Sequence, residues 1–478
     1  MGKHLKREAL LYGASKYSTI IISLLTTAVL SRILTPEAYG VVSVVTVFTS
    51  FFAVLSDMGL GTAVIQSKTI TDDEVNDVFS FSVYISVAMA LLFFGLGYLI
   101  ALFYANVVYR EICAVLSISV LFNSMNIIPN AVMMKRKRFS LVGKRLILTS
   151  LLTGTAAIVM AWRGFGYYAL ILQSVFQSVF IFAWNARSTH VRFRAGIHMS
   201  VIHQIRNFSL FQFLFSLINY FARNADNLLV GKVMGSTSLA YYDKGYRLMM
   251  YPVQNLTYVI NPILHPVLAE YQNNKQFIYD SYKRVVMVLS YLGVLISAIC
   301  FLCGEEIILL FFGPQWGAAV PVFKLLSLSV WPQLVSSSAG AIYQSTGNTK
   351  WMFRSGVIHF GVAIALIVCG VFSRNLLLLA AFVTIGLYLR FFIDYYFLMK
   401  KDFGFSYKAF LGVFRYDLLA AACMAVAIVF LRQWTISNAL LSLLIKCVIL
   451  LLLYGVVTAA SGEMKRVYYI LKSRKNDT

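Results

Sequence analysis

Stretches of about twenty apolar residues recur along the whole of this 478-residue chain, separated by short polar or Gly/Pro-marked segments. Wound as a helix at ~1.5 Å per residue, such a run spans the ~30 Å hydrocarbon core of a bilayer. Inside hydrocarbon every backbone donor and acceptor must find a partner within the protein, which leaves only helices or closed barrels. These runs are continuous rather than alternating, so they predict helices. Only 13% of the residues are charged, about half the ~25% of a soluble domain. The chain therefore reads as an all-α polytopic membrane protein.

The runs predict fourteen spans, centred near residues 22, 48, 91, 121, 152, 175, 219, 252, 297, 331, 361, 386, 422 and 449. The second and eighth are the least clean. The formal charge is +22, which in a soluble chain would raise the question of nucleic acid. Here the basic residues sit in short loops. The N-terminus and even-numbered loops hold 28 Lys and Arg, the odd-numbered loops six, and seven lie inside spans. Positive charge stays on the cytoplasmic side of a membrane, so this asymmetry predicts both termini in the cytoplasm. It assigns the charge to topology and predicts no nucleic-acid partner. The opening "MGKHLKREALLYGASKYS" leads into a run without a small-residue cleavage site, so no cleaved signal is expected.

An internal repeat accompanies the spans. "AVLSISVLFNSMNIIPNAV" from Ala114 aligns with "KLLSLSVWPQLVSSSAGAI" from Lys324 at an offset of 210, with identities at Leu116/Leu326, Ser117/Ser327, Ser119/Ser329, Val120/Val330 and Ala131/Ala341. That register places span 4 on span 10 and span 1 on span 7. Six spans per repeat is an even number, so the halves run parallel, a transporter architecture with the substrate path between lobes. The expected lobes are residues 1–205 and 206–402, with two additional helices and a basic cytoplasmic tail in 403–478.

Charges inside spans narrow the search for function. "LINYFARNADNLLVGKVM" carries Arg223 and Asp226, i,i+3 neighbours on one helix face. A charge at bilayer depth costs ~2.5–3.5 kcal/mol on insertion scales, so it faces protein or water rather than lipid. A structural pair and a cavity-lining site both fit. In the next helix Asp243 and Arg247 are i,i+4, with Lys244 beside them where snorkelling to the interface would explain it. Lys16 lies early in span 1. Arg390 and Asp394 form a further i,i+4 pair, read as structural, while Asp57 and "TDDEVND" read as solvated loop. Pro252, Pro262 and Pro266 in span 8, and Pro321 and Pro332 in span 10, predict bent helices.

Enzyme signatures are missing. No HExxH or GxxxxGK[ST] occurs, and the CxxC of Cys300 and Cys303 has no second ligand pair. The chain is expected to be no enzyme and to need no cofactor or metal.

"LSRILTPEAYGVVSVV", "SDMGLGTAVIQ", "NADNLLVGKVMGSTSLAYYDKGYRLMMYPVQNL", "PILHPVLAEYQ" and "FFGPQWGAAVPVFKLLSLS" resemble the polysaccharide flippases of the multidrug/oligosaccharidyl-lipid/polysaccharide exporter superfamily, in the branch of colanic-acid and teichuronic-acid exporters. The resemblance covers about residues 8 to 460. It implies two six-helix lobes plus two helices around a central cavity in a bacterial inner membrane. It also implies alternating access and an undecaprenyl-pyrophosphate-linked oligosaccharide moved from the cytoplasmic to the outer leaflet, with a polysaccharide polymerase and membrane lipid as partners. Arg223, Arg247, Lys244 and Lys16 are then candidates for the anionic headgroup, and Asp226 for holding Arg223 or taking a coupling proton. Two alternatives stand beside this reading: a small-molecule or multidrug exporter of the same superfamily, and a membrane-embedded polysaccharide polymerase.

Overall fold

In the computed structural model the described residues are 3–66, 70–195, 213, 217, 220, 224–269, 271–272, 274–431, 434 and 438–462. Among them the chain is helical, with no strand. The helices are α1 (Lys3–Ile33), α2 (Pro36–Asp57), α3 (Leu60–Gln66), α4 (Asp72–Tyr104), α5 (Val108–Met125), α6 (Ile127–Lys135), α7 (Phe139–Trp162), α8 (Tyr168–Thr189), α9 (224–233) and α10 (Ser236–Ala269). They continue with α11 (Lys275–Leu302), α12 (Gly304–Phe312), α13 (Ala319–Ser327), α14 (Val330–Ser336), α15 (Ala339–Ser345), α16 (Thr349–Phe372), α17 (Leu376–Tyr396), a π-helical turn (Phe397–Phe403), α18 (Tyr407–Leu411), α19 (Arg415–Leu431) and α20 (Ala439–Ala460).

Among the described residues eleven helical segments are long and apolar enough to cross a membrane, and twelve if the bent pair Ala319–Ser327 and Val330–Ser345 counts as one span. The expected span 7 falls largely outside the described residues. Span 8 is α10, a helix of 34 residues that is not among those apolar enough. Large apolar side chains stand outward all along the spans, as lipid contact demands: Leu102 is 79% exposed, Phe430 67% and Leu452 66%.

Local chemistry sets the helix starts. Thr35 caps α2 and is followed by Pro36 at the first position, where a missing N–H costs nothing. Thr71 and Glu74 form a reciprocal capping box on α4. The acidic run expected as solvated loop is thus the first turn of a helix. Asp72 and Asp73 reach Arg136 and Arg194 at 2.7 and 2.6 Å, and Asp77 is buried. Asp57 ends α2, and its carboxylate accepts from the Gly61 amide at 3.4 Å.

The prolines act differently in the two helices. α10 runs unbroken through Pro252, Pro262 and Pro266. Span 10 breaks before Pro332 and bends by 44°. A proline ring clashes with the carbonyl four residues earlier and has no N–H to give it. That carbonyl, Leu328, takes a bond from the Tyr388 hydroxyl at 3.0 Å instead. α5 ends at Met125, likewise four residues before Pro129.

Two compact units make up the chain, Met1–Ala240 and Tyr241–Thr478. In the first, α7 lies close against α1 because Gly154 faces Thr26: a Cβ there would stand 2.7 Å from the Thr26 hydroxyl. Small residues at such contacts permit the dense packing on which helix association in lipid depends. Leu60, Val64, Val78, Phe79 and Ile128 form one of its cores. In the second unit, Tyr282, Phe391, Tyr395, Phe410 and Phe414 form an aromatic core. A further cluster of Val294, Leu302, Met424, Leu450 and Tyr454 seats α19 and α20 on α11. Both ends of α7 and α16 differ by 210 residues, as do the C-terminal ends of α6 and α15.

Candidate functional site

Three in-span charges of the second unit, Asp243, Lys244 and Arg247, lie on α10. Arg247 donates from Nε to Asp243 Oδ1 at 2.8 Å, the pair expected from i,i+4 spacing. The two ends of the bond differ in environment. Asp243 has a side chain only 12% exposed, whereas that of Arg247 is 62% exposed. Asp243 therefore fixes the guanidinium at its base and leaves its remaining N–H donors open. Arg247 lies eleven residues into α10, or ~17 Å along its axis.

Lys244 departs from the snorkelling expectation. It is 6% exposed, and its ammonium lies 4.8 Å from the Phe312 ring centre and 5.1 Å from that of Trp316. The negative face of an aromatic ring attracts a cation, most strongly where water is excluded. Trp316 is itself wholly buried and meets Tyr241 edge-on at 6.0 Å. The box therefore ties α10 to the "FFGPQW" segment. A cation drawn into protein in this way has no need to reach the interface.

The other predicted residues belong to the first unit. Asp226 on α9 is buried and accepts from the Asn227 amide at 2.9 Å. Lys16 is half-buried on α1. Arg223 lies outside the described residues. Nearby on α9, Lys232 sits 4.3 Å from the Phe103 ring centre and donates to the Phe103 carbonyl. Tyr104 donates to the Leu228 carbonyl at 3.3 Å.

Two polar clusters, and the third member of another, escaped the sequence reading. Arg145, counted there as a cytoplasmic-loop cation, is buried in α7. It donates to Asn185 at 2.7 Å and to Asn130 at 3.2 Å, and Asn185 donates to Asn126 at 2.8 Å. Asn126 stands at the α5–α6 break. Lys446 donates to Glu306, which also accepts from Ser442 at 2.7 Å, all three buried. His359 joins the Arg390–Asp394 pair. Long-range contacts assemble each cluster, and a run of letters gives no signal for them beyond the rarity of charge in a span.

A cavity of about 190 Å³ in the second unit holds none of the predicted site residues; Val294, Phe301, Trp331 and Met424 are among its lining. Its carboxylate, Asp417, accepts from Ser290 at 2.6 Å. Among the described residues no group of three or more His, Cys, Asp or Glu stands together to hold a metal ion.

Comparison with known proteins places this geometry. A family profile described as "Polysaccharide biosynthesis protein" matches residues 29–321, more than half of the chain. The lipopolysaccharide biosynthesis protein WzxC of Escherichia coli is 24% identical over 427 residues, covering 85% of this chain and 84% of its own. The teichuronic acid biosynthesis protein TuaB of Bacillus subtilis is 22% identical over 325 residues, 65% of each chain. Among solved structures, the lipid II flippase MurJ in an inward closed conformation superposes with a TM-score of 0.73 at 14% identity, covering 95% of this chain and 99% of that one. That likeness shows the fold.

Proposed function

The chain belongs to the polysaccharide biosynthesis protein family, and from that premise we propose that it moves a lipid-linked oligosaccharide, built on an undecaprenyl-pyrophosphate-type carrier, from the cytoplasmic to the outer leaflet of a bacterial inner membrane. The observation that carries this reading is Arg247. It is a guanidinium held at one nitrogen by Asp243 and otherwise open, on a helix not apolar enough to count among the candidate spans. Guanidinium suits a pyrophosphate because its forked donors match paired phosphate oxygens. Coulomb attraction in a low dielectric offsets part of the cost of carrying such an anion through hydrocarbon.

Within this reading Arg247 takes the headgroup and Lys244 positions α10 against Phe312 and Trp316. Lys16 supplies the first lobe's share of the path, and Arg223 and Asp226 add to the second lobe's. The architecture is fourteen spans: parallel six-span lobes, 1–205 and 206–402, and two further helices with a basic tail in 403–478, both termini cytoplasmic. The matching ends of α7 and α16, and the C-terminal ends of α6 and α15, at the repeat's own offset of 210 support the parallel lobes. Two lobes rocking about a central path would give alternating access. A polymerase acting outside the membrane would consume the product. A cavity for drug cations would be acidic, whereas the in-span charges here are mainly basic.

The test uses the native cell and a membrane-impermeant probe of the outer-leaflet glycan, at matched protein levels. Deleting the gene strands the lipid-linked repeat unit on the cytoplasmic leaflet. Arg247→Ala and Arg223→Ala do likewise, and Arg247→Lys restores only part of the rate because an ammonium lacks the fork. An unchanged leaflet distribution in the deletion strain refutes the function.

A further inference from the structure

α16 and α17 lie side by side and bring three ionisable groups to the same depth. Asp394 is buried, its side chain 9% exposed. Its Oδ1 faces His359 Nδ1 at 3.3 Å and its Oδ2 faces Arg390 Nε at 3.4 Å. His359 lies nine residues beyond Lys350, the start of its span, or ~13 Å along the axis. Arg390 lies fourteen residues beyond Leu376, the start of its own span, or ~21 Å along. The cluster therefore lies within both candidate spans rather than at their ends, and ionisable side chains inside spans are rare and mark ion or proton pathways.

The surroundings are polar and organised. From α15, Tyr343 donates to the Asp394 carbonyl at 2.9 Å. From α11, Tyr282 shares a bond of 2.7 Å with the hydroxyl of Tyr395 on α17, and Tyr395 also donates to the Val335 carbonyl at 2.8 Å. The next carboxylate, Asp402 of the π-helical turn, is occupied by Thr346 at 2.6 Å, Asn348 at 2.5 Å and Lys275 at 3.7 Å. Arg354 of α16 is turned onto the Trp351 ring, 4.8 Å from its centre. His359 is thus the group beside Asp394 whose ordinary titration range falls near neutral pH.

The geometry points to the His359–Asp394 pair as the proton-binding site that couples transport to a proton gradient, an inference that rests on the flippase reading above. With His359 neutral, Asp394 and Arg390 cancel in charge. A proton entering the cluster forms one N–H bond on the imidazole, which then donates a charge-assisted bond to Asp394. The cluster becomes singly positive, and Asp394 is shared between two cations, loosening its hold on Arg390. The O–H bond of the hydronium carrier breaks as that N–H bond forms, and the proton leaves by the reverse transfer to water on the opposite side. Because the anionic substrate moves outward and the gradient drives protons inward, the coupling is antiport. Sodium does not fit, since His359 and Arg390 already face the two Asp394 oxygens and no cage of oxygen ligands stands there among the described residues.

Two measurements test this on the full-length protein. In cells, the outer-leaflet glycan is followed while external pH is stepped across about 5 to 8, the range of histidine, with and without a protonophore. Wild type speeds up severalfold as the outside acidifies and slows with the protonophore, while His359→Gln and Asp394→Asn lose both responses. Retention of the responses in both variants, or their absence in a wild type that does translocate, overturns the proposal. Should the deletion strain show that the protein moves no glycan, the pair is still read by pH-difference infrared spectra of purified protein in lipid nanodiscs. An imidazolium signal that titrates in that range and vanishes in His359→Gln supports the proton site, and a wild type without that signal overturns it.

Discussion

Replacing Lys446 by methionine keeps the length of the side chain and removes its charge from a contact buried at both ends. Lys446 and Glu306 are 10% and 11% exposed, and Glu306 also takes the Ser442 hydroxyl at 2.7 Å. Taking one partner from such a pair strands the other charge, which costs about 3–5 kcal/mol in measured cases. Neutralising both groups strands nothing, so Glu306→Gln with Lys446→Met should return to within about 1–1.5 kcal/mol of wild type, Ser442 still having an oxygen to bond. The expected coupling between the sites is therefore about 2 kcal/mol or more. A maleimide dye that fluoresces on reaction with thiols reads the interface directly, because buried Cys303 and half-buried Cys447 flank it. Heated in nanodiscs, each single variant should open at a temperature lower by on the order of 10 °C. The double variant should recover most of that loss. Single variants within about 1 kcal/mol of wild type, or a double variant as unstable as the sum of the singles, would refute the idea that this pair clamps α20 to α12.

Two further outcomes concern the first unit. Gly40→Ala would set a Cβ 2.0 Å from the Ser236 carbonyl oxygen, a backbone atom that cannot swing away, so the folded, monodisperse yield after detergent extraction should fall sharply. Arg145→Met leaves Asn130 and Asn185 without their shared donor and should cost about 1–3 kcal/mol, read as a lower thermal midpoint with leaflet activity per folded molecule retained.

Much of the fold was legible because the bilayer imposes it locally. Lipid demands about twenty apolar residues wherever the chain crosses, so spans can be read letter by letter: among the described residues eleven, or twelve with the bent pair, of the expected fourteen stand as membrane-crossing helices. The i,i+4 pairs Asp243–Arg247 and Arg390–Asp394 were legible for the same reason, since helical spacing alone brings them together. The lysine at 244 was misjudged because its fate depends on Phe312 and Trp316, almost seventy residues away in sequence. Arg145 was misjudged because a basic run looks like loop until Asn185 and Asn130 are seen to receive it.

The sequence by itself determined that this chain lives in a membrane and which residues carry charge within its apolar stretches. Only the tertiary structure decided what each of those charges meets: an open guanidinium at Arg247, an aromatic box around Lys244, a histidine beside Asp394, and Glu306 for Lys446. Periodicity and hydropathy are properties of neighbouring residues, whereas the environment of a buried charge comes from helices far apart in the chain.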